Sequence, residues 1–307
     1  MTPPVGPEIF TIGPITLRWY GLLIMAGVLA GGYVASRYVQ KRGHDPNTIW
    51  DLMLWVMIPA LLGARLYYVF IQSPRGPDGF DRFMANPGLI LQIWTGGLHI
   101  FGEFVFGFAA LIAFVRWQKL PLLVYLDAVG LALPLAQAIG RQANFINQEL
   151  YGPPTTLPWG LLIDGNHRVP PYTDLVQYPE GTLFHPLFLY ESVWNFIGFG
   201  VLFWISRRYA SMLKAGDLFL MYLIWYPFGR FFIEFLRTDS WFFLNTPFNT
   251  VHIMCFIAFT SAAVILFRRH RGSSADSSKS GGGSSSDSDT DSEKGRNSGT
   301  SQPEPSV

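Results

Sequence analysis

The stretch "AIGRQANFINQELYG", residues 138–152, closes a long apolar run with a cluster of polar side chains. The run, near 122–141, has the length of about 20 residues that a helix needs to cross roughly 30 Å of hydrocarbon. Four polar residues then fall within nine positions, and they are Arg141, Asn144, Asn147 and Glu149. Because polar groups in or beside hydrocarbon are costly, the cluster favours a functional site at the end of a membrane span.

The composition around this stretch is that of a membrane protein. Of 307 residues, 50% are hydrophobic and only 14% are charged, against roughly 25% charged in a soluble domain. The apolar residues form segments of about 20 residues, the length of a span, near 17–36, 50–71, 97–115, 122–141, 187–206, 217–235 and 248–267. The sequence therefore predicts an all-α integral membrane protein with seven transmembrane helices.

The chain changes character after residue 271. Residues 272–307 are rich in Ser, Gly and Asp and contain no aromatic residue, so they cannot bury enough apolar surface to fold. We predict a transmembrane domain over 1–271 and a disordered tail over 272–307. The single cysteine, Cys255, excludes an internal disulfide framework and a cysteine-based metal cluster. No metal, cofactor or nucleic-acid partner is predicted.

Basic residues predict the orientation of the spans. They follow the first, third, fifth and seventh segments, as Arg37, Lys41, Arg42, Arg116, Lys119, Arg207, Arg208, Lys214, Arg268, Arg269 and Arg271. Loops of this kind face the cytoplasm, which places the N-terminus outside and the C-terminus inside. The proline-rich region 150–185 is predicted to form a small irregular outer segment between the fourth and fifth helices.

With this orientation, five polar stretches meet at the outer face. They are "LRWYG" (17–21), "TGGLHIFGEF" (95–104), "GRQANFINQELYG" (140–152), "HPLFLYES" (185–192) and "GRFFIEFLR" (229–237). Polar residues with a purely structural use are expected on both sides of a bundle. The one-sided convergence therefore favours a site in the outer leaflet.

Arginines dominate this site. Arg65, Arg141 and Arg230 approach the outer half of the bundle, where Glu103, Glu149, Glu191 and Glu234 are the available acids. The planar guanidinium fork suits a phosphate, and a phosphate beside hydrocarbon is most simply a lipid head group.

Structural interpretations stay open for single residues. Arg141 can complement a helix C-terminus, and Arg230 can form an i,i+4 pair with Glu234. His185 can cap a helix, Tyr20 can belong to an interfacial aromatic belt, and Asp127 is typical of a capping or pairing residue.

The polar stretches together resemble a known family. "GRQANFINQELYG" is similar to the signature of prolipoprotein diacylglyceryl transferases, G-R-x-[GA]-N-F-x-N-x-E-x-x-G, and the matching residues are Gly140, Arg141, Ala143, Asn144, Phe145, Asn147, Glu149 and Gly152. The likeness extends in family order over about residues 10–270, through "LRWYG", "GARLYY", the glycine pair at 96–97, "HPLFLYE" and "GRFFIEFLR".

The resemblance implies an enzyme of the bacterial plasma (inner) membrane. Such an enzyme moves the diacylglyceryl group of phosphatidylglycerol to the lipobox cysteine of a prolipoprotein signal peptide, and glycerol phosphate leaves. Its partners would be these two substrates and the surrounding membrane lipids. The resemblance gives Arg141 and Arg230 the catalytic role, supported by Arg65, Tyr20, Asn144, Asn147, Glu149, Gly152, His185, Tyr190, Glu191, Glu234 and Arg237.

One position departs from the family. Four residues after the glycine pair, where the family has a His or Tyr, this chain has Phe101, which cannot accept a proton. His99 and Glu103 flank it at i,i+4 spacing, and either could replace the missing base. His99, which could equally be an interfacial histidine, is our candidate.

Three alternatives remain. A lipid-anion transporter or flippase would need a polar path to the inner leaflet, and none is visible. A seven-helix photoreceptor would need a buried lysine, whereas all five lysines lie in loops or the tail. A catalytically impaired family member is the third alternative, because of Phe101.

Overall fold

The computed structural model describes residues 1–13, 15–73, 79–93, 96–237 and 249–279. The first of its two compact units is Met1–Leu266, and the second begins at Phe267 within the last helix. The long helices are α1 (Trp19–Lys41), α2 (Asn47–Tyr67), α4 (Ile100–Trp117), α5 (Leu122–Ile146), α6 (Leu187–Arg208), α7 (Asp217–Glu234) and α8 (Thr250–Lys279). A short helix, α3 (Phe80–Ala85), lies between α2 and α4, and α2 continues into a π-helical turn at Tyr68–Gln72.

Within the described ranges, six helices are long and apolar enough to cross a membrane, namely Trp19–Lys41, Asn47–Gln72, Ile100–Trp117, Leu122–Ile146, Leu187–Arg208 and Thr250–Arg271. The seventh predicted segment, 217–235, is α7, which has 18 residues and carries Asp217, Arg230 and Glu234. The prediction of a helical membrane protein is confirmed, and the chain is a multi-pass membrane protein by the length and composition of its helices.

The prediction of an all-α chain missed two small antiparallel sheets. One pairs β1 (Glu8–Ile12) with β2 (Ile15–Arg18), directly before α1. The other pairs β3 (Leu161–Leu162) with β4 (Leu183–Phe184), between α5 and α6. Strands this short give too little alternation to stand out in a sequence.

The segment between α5 and α6 has a small core of its own, built around Tyr151, Leu161, Ile163, Tyr172 and Phe184. Burial raises the pKa of the Tyr151 hydroxyl, so the phenol stays neutral there. The N-terminus lies against this segment, because the Met1 amino group donates to the Gly160 carbonyl (2.5 Å) and the Leu162 N–H donates to the Met1 carbonyl (2.8 Å).

Asp127 joins three helices at the opposite end of α5. Its buried carboxylate accepts from the backbone N–H groups of Gly216 (2.7 Å) and Phe219 (3.0 Å), and from the Tyr38 hydroxyl (3.3 Å). A carboxylate at this place satisfies N–H groups that the first turn of α7 leaves without helical partners. The interpretation of Asp127 as a structural capping residue is confirmed.

A reciprocal tryptophan clasp sets the distance between α6 and α7. The rings of Trp194 and Trp225 stack with centroids 4.5 Å apart, and each indole N–H donates to the other residue's carbonyl at 3.1 Å. Each ring covers a glycine of the opposite helix: a Cβ on Gly198 would lie 2.3 Å from Trp225 Nε1, and a Cβ on Gly229 would lie 2.2 Å from Trp194 Nε1. The two helices can approach this closely only because both glycines lack side chains.

We expect the Gly229→Ala substitution to lower the unfolding temperature in detergent, because the added methyl group overlaps the Trp194 ring. Overpacking of this kind costs about 1–3 kcal/mol. Gly200→Ala is the matched control, since nothing lies within 4 Å of a Cβ at Gly200, and alanine is the better helix former by about 1 kcal/mol. Equal unfolding temperatures for the two variants would contradict the close packing of the Trp194 ring on Gly229.

The predicted boundary at residue 271 remains a prediction. The helix α8 is described as far as Lys279, and residues 280–307 of the predicted tail lie outside the described residues.

Candidate active site

The centre of the site is a carboxylate shared by two arginines. Glu191 on α6 contacts Arg141 of α5 through Oε2 (2.5 Å to Nη2) and Arg230 of α7 through Oε1 (2.9 Å to Nη1). Glu191 is 4% exposed, so its charge depends on these two partners. Three helices thus place both predicted catalytic arginines around one buried carboxylate.

The network continues from Arg230 along α7. Its Nη2 lies 2.5 Å from Oε2 of Glu234, one turn further on, which confirms the predicted i,i+4 pair. The pair is not isolated, because Arg230 also contacts Glu191, and the Asn249 side chain donates to Oε1 of Glu234 (2.5 Å). Both interpretations of Arg230, helix pair and site residue, are therefore compatible with one geometry.

The opening stretch supplies a second branch at the end of α5. The Arg141 guanidinium lies 3.5 Å from Oδ1 of Asn144, and the Asn144 amide donates to Glu149 (2.8 Å). Asn147 is the C-cap that follows α5, and its side chain, half-buried, makes no hydrogen bond within the described part of the chain. The branch orients Arg141 and leaves the Asn147 amide available to a ligand.

Two tyrosines lie beside the arginines. Tyr20, in the first turn of α1, is 40% exposed and interacts electrostatically with Glu149, Arg141 and Glu103. Tyr226 on α7 interacts in the same way with Glu191, Arg141 and Arg230. Tyr226 is not among the predicted site residues, although its position four residues before Arg230 puts both side chains on one face of the helix.

Carboxylates neutralise the two arginines. Glu191 contacts both Arg141 and Arg230, and Glu234 contacts Arg230. Glu149 is linked to Arg141 through the Asn144 side chain. The capacity of the cluster for an anion comes from its unused N–H donors. The Arg141 side chain is 24% exposed against 11% for Arg230, and Arg141 uses two of its five N–H groups on described residues.

Arg65 has a different use from the one predicted. It is buried, and its guanidinium donates to the carbonyls of Leu89 (2.7 Å), Ile90 (2.9 Å), Gly96 and Gly97 (3.1 Å). Both glycines have positive φ, a conformation that glycine adopts without strain. With four of its five N–H groups engaged, Arg65 anchors the chain between α3 and α4 and is not arranged as a phosphate ligand.

His99 also has a structural contact that the sequence did not predict. It is the N-cap of α4, where its Nδ1 accepts from the Phe101 N–H (3.3 Å). Its ring stacks on Tyr67, with centroids 4.8 Å apart, and lies 5.3 Å from the Phe101 ring. In a neutral imidazole with Nδ1 as acceptor, Nε2 carries the proton, so neither nitrogen is left to act as a base.

The other predicted residues lie around this network. The His185 Nδ1 is 3.1 Å from the Tyr190 hydroxyl, which also receives the Trp159 indole N–H (3.3 Å). Gly152 packs tightly: a Cβ there would lie 3.0 Å from His185 Cβ and from the Leu236 carbonyl. Arg237 is half-buried just beyond α7. No group of three or more metal-binding side chains occurs among the residues that were described.

Fold and site define a multi-pass helical membrane protein with an arginine–carboxylate network between its helices. The comparisons identify the group to which it belongs. The model of the family "Prolipoprotein diacylglyceryl transferase" matches residues 7–268, and the chain belongs to that family. The resemblance inferred from the sequence is confirmed.

Relatives named phosphatidylglycerol–prolipoprotein diacylglyceryl transferase align with most of the chain. The protein of Chloroflexus aggregans is 40% identical over 84% of this chain and 87% of its own length. That of Synechococcus elongatus is 44% identical over 76% and 78%. That of Lactiplantibacillus plantarum is 36% identical over 87% and 90%.

We expect Arg65→Lys to loosen the chain between α3 and α4, because one ammonium group cannot reach four carbonyls that a planar fork reaches. Limited proteolysis in detergent should cut the variant faster within residues 79–97. Arg82→Lys is the control, as Arg82 is an exposed arginine of the same region. Identical cleavage rates for both variants and the wild-type protein would contradict the anchoring role.

Proposed function

We propose that this protein transfers the diacylglyceryl group of phosphatidylglycerol to the cysteine thiol of a prolipoprotein. Family membership and the names of its relatives support the reaction. The observation that carries the proposal within this chain is the pair of guanidiniums, Arg141 and Arg230, held on one buried carboxylate.

In this reaction the cysteine sulfur forms a bond to the glycerol carbon while the bond from that carbon to the phosphate oxygen breaks. The thiol proton goes to solvent or a base, and the electron pair leaves with glycerol phosphate. Negative charge therefore grows on the phosphate as the C–O bond breaks. Arginines placed there stabilise the transition state more than the ground state, which raises the rate.

A dedicated base contributes little to such a step. A thiol of pKa about 8.5 is roughly 3% ionised at pH 7, and lowering this pKa by one to two units beside arginines yields roughly 25–75% thiolate. The gain is at most about 25-fold, which is small beside orientation and stabilisation of the leaving group. Phe101 is therefore compatible with an active enzyme.

The remaining residues are proposed to shape the substrate pocket. Tyr20, Asn144, Asn147 and Glu149 would position the glycerol head group or the Arg141 guanidinium. Glu191 and Glu234 orient the arginines, while Gly152, His185, Tyr190 and Arg237 form the surrounding wall. Arg65 would act indirectly by holding the chain before α4.

We further propose seven spans, with α7 as the sixth in chain order and α8 as the seventh. α7 packs against α5 and α6, and its Arg230 and Glu234 are neutralised inside the bundle. The basic loops predict an outer N-terminus and an inner C-terminus in the bacterial plasma membrane. The site then faces the outer leaflet, below the segment between α5 and α6 where the lipobox peptide would enter.

The transporter alternative gains no support from these contacts. Asp127 and Tyr38, buried polar residues near the opposite end of the bundle, are used to cap α7. They do not extend the network of Arg141 and Arg230.

Incubation of the purified protein with phosphatidylglycerol vesicles and a lipobox peptide tests the proposal. The expected products are a peptide heavier by one diacylglyceryl group and an equal amount of glycerol phosphate. A peptide with serine in place of the cysteine is the control and should stay unmodified. Failure of the wild-type protein to modify the cysteine peptide would overturn the proposal.

We expect Arg141→Lys to be nearly as damaging as Arg141→Ala, because a point charge cannot replace the bidentate fork. In the same assay both variants should lose at least about 100-fold in kcat/KM, which corresponds to about 2.7 kcal/mol of transition-state stabilisation. Full activity of Arg141→Lys would refute the role of the fork.

His99→Asn should keep transfer activity within about threefold of the wild-type value, with an unchanged pH profile, because asparagine is a good N-cap. His99→Ala should lower the stability of the protein by about 1 kcal/mol through loss of the cap. If His99 were the base, the Asn variant would instead lose more than threefold and up to about 25-fold in rate, and its pH profile would change.

A further inference from the structure

The geometry points to Asn249 as a positioning residue for Arg230, acting through Glu234. The inference rests on the proposed function and extends it to the start of α8, where sequence analysis found no site residue. Within the described residues, no hydrogen bond joins Asn249 to the arginine itself. It fixes the carboxylate that the arginine binds.

The two oxygens of the Glu234 carboxylate contact different residues. Oε2 lies 2.5 Å from Arg230 Nη2, and Oε1 accepts from the Asn249 amide at 2.5 Å. Asn249 is 2% exposed and Glu234 is 3% exposed. In so buried a place a hydrogen bond from an amide to a carboxylate restricts the plane of the carboxylate, and therefore also the direction of the guanidinium bound to it.

A reciprocal cap at the start of α8 fixes the Asn249 amide. Its Oδ1 accepts from the His252 backbone N–H (3.0 Å), and its own backbone N–H donates to Nδ1 of His252 (3.2 Å). This is the arrangement of a capping box, with histidine in the place usually held by Glu or Gln. Since Oδ1 is committed to the cap, Nδ2 is the atom that faces Glu234.

The cap is held against α7 by aromatic packing. The His252 ring lies 4.9 Å from the Phe231 ring, at a right-angled tilt of 85°, and 4.3 Å from the Phe235 ring. Both phenylalanines flank Glu234 on the chain. The same few residues therefore tie the start of α8 to the end of α7 and leave the amide little freedom to turn away.

The chain of contacts reaches the reaction centre in three steps. Asn249 holds Glu234, Glu234 holds Arg230, and Arg230 shares Glu191 with Arg141. Catalytic groups misplaced by about 1 Å can cost about 100-fold in rate. A change at Asn249 should therefore lower kcat more than it raises KM for the lipid.

Two substitutions separate the cap from the contact with Glu234. Asn249→Ser retains an oxygen that can cap α8 but removes the donor to Glu234, and we expect kcat to fall about fivefold to tenfold. Asn249→Asp also retains the cap but sets a second carboxylate against Glu234, and we expect a loss of at least about 30-fold. The unfolding temperatures of both variants should stay close to that of the wild-type protein.

Asn47→Asp is the matched control, because Asn47 is exposed at the start of α2, at the other end of that helix from Arg65. Asn47→Asp makes the same chemical change and should leave kcat and KM unaltered.

A rescue variant adds a measurement that a purely structural role of Asn249 would not change. In Asn249→Asp combined with Glu234→Gln, the glutamine can accept from Arg230 and donate to the new carboxylate, so kcat should exceed the product of the two single effects at least fivefold.

The possible outcomes are distinct. Transfer by the wild-type protein, with Asn249→Ser and Asn249→Asp both within twofold of its kcat, would overturn the inference and leave the proposed function intact. Purely additive effects in the double variant would overturn it as well. Absence of transfer by the wild-type protein would overturn the proposed function, and the inference with it.

Discussion

The structure of the site depends on one buried carboxylate, that of Glu191, placed between the guanidiniums of Arg141 and Arg230. A charge within a helical bundle in the membrane is costly unless it is paired, and removal of one partner of a buried pair leaves the other uncompensated. The three residues come from three different helices. For one carboxylate to contact both guanidiniums, α5, α6 and α7 must place these residues at the same depth and on facing sides of the helices.

Packing supplies that orientation. Trp194 lies three residues after Glu191, and Gly229 immediately precedes Arg230, so the clasp that brings α6 and α7 together is built next to the ion pairs. Near the start of α5, Asp127 holds α7 through its first turn. α7 is therefore fixed to α5 near one end by a cap and near the other by charges. This explains how a helix of 18 residues with three charged side chains stays within the bundle.

The sequence predicted the parts of this arrangement that have a strong local signal. Segments of about 20 apolar residues gave the helices to within a few residues at most ends, and the cluster after residue 140 pointed to Arg141, one of the two arginines that contact Glu191. It could not predict the use of each side chain. Arg65 looks like Arg141 in a sequence, but only the fold shows four carbonyls around its guanidinium. His99 likewise differs from a base only in the partner of its Nδ1. Asn249 contacts Glu234, which lies 15 residues earlier in the chain, and no spacing rule contains a contact of this kind.

The carboxylates that contact the arginines bear on how the proposed site can turn over. Glu191 and Glu234 neutralise the arginines, which would otherwise be desolvated cations. In the proposed reaction, a phosphate that approaches Arg141 would meet unused N–H donors and also negative charge, which would weaken its ground-state binding. Charge that develops on the leaving oxygen would still gain from these donors. The same carboxylates would compete with glycerol phosphate after the C–O bond has broken and would thereby favour its release. An arginine pair without acids would bind phosphate more tightly. It would, however, bind the substrate, the product and the transition state more tightly to the same extent. Uniform binding of this kind does not raise kcat.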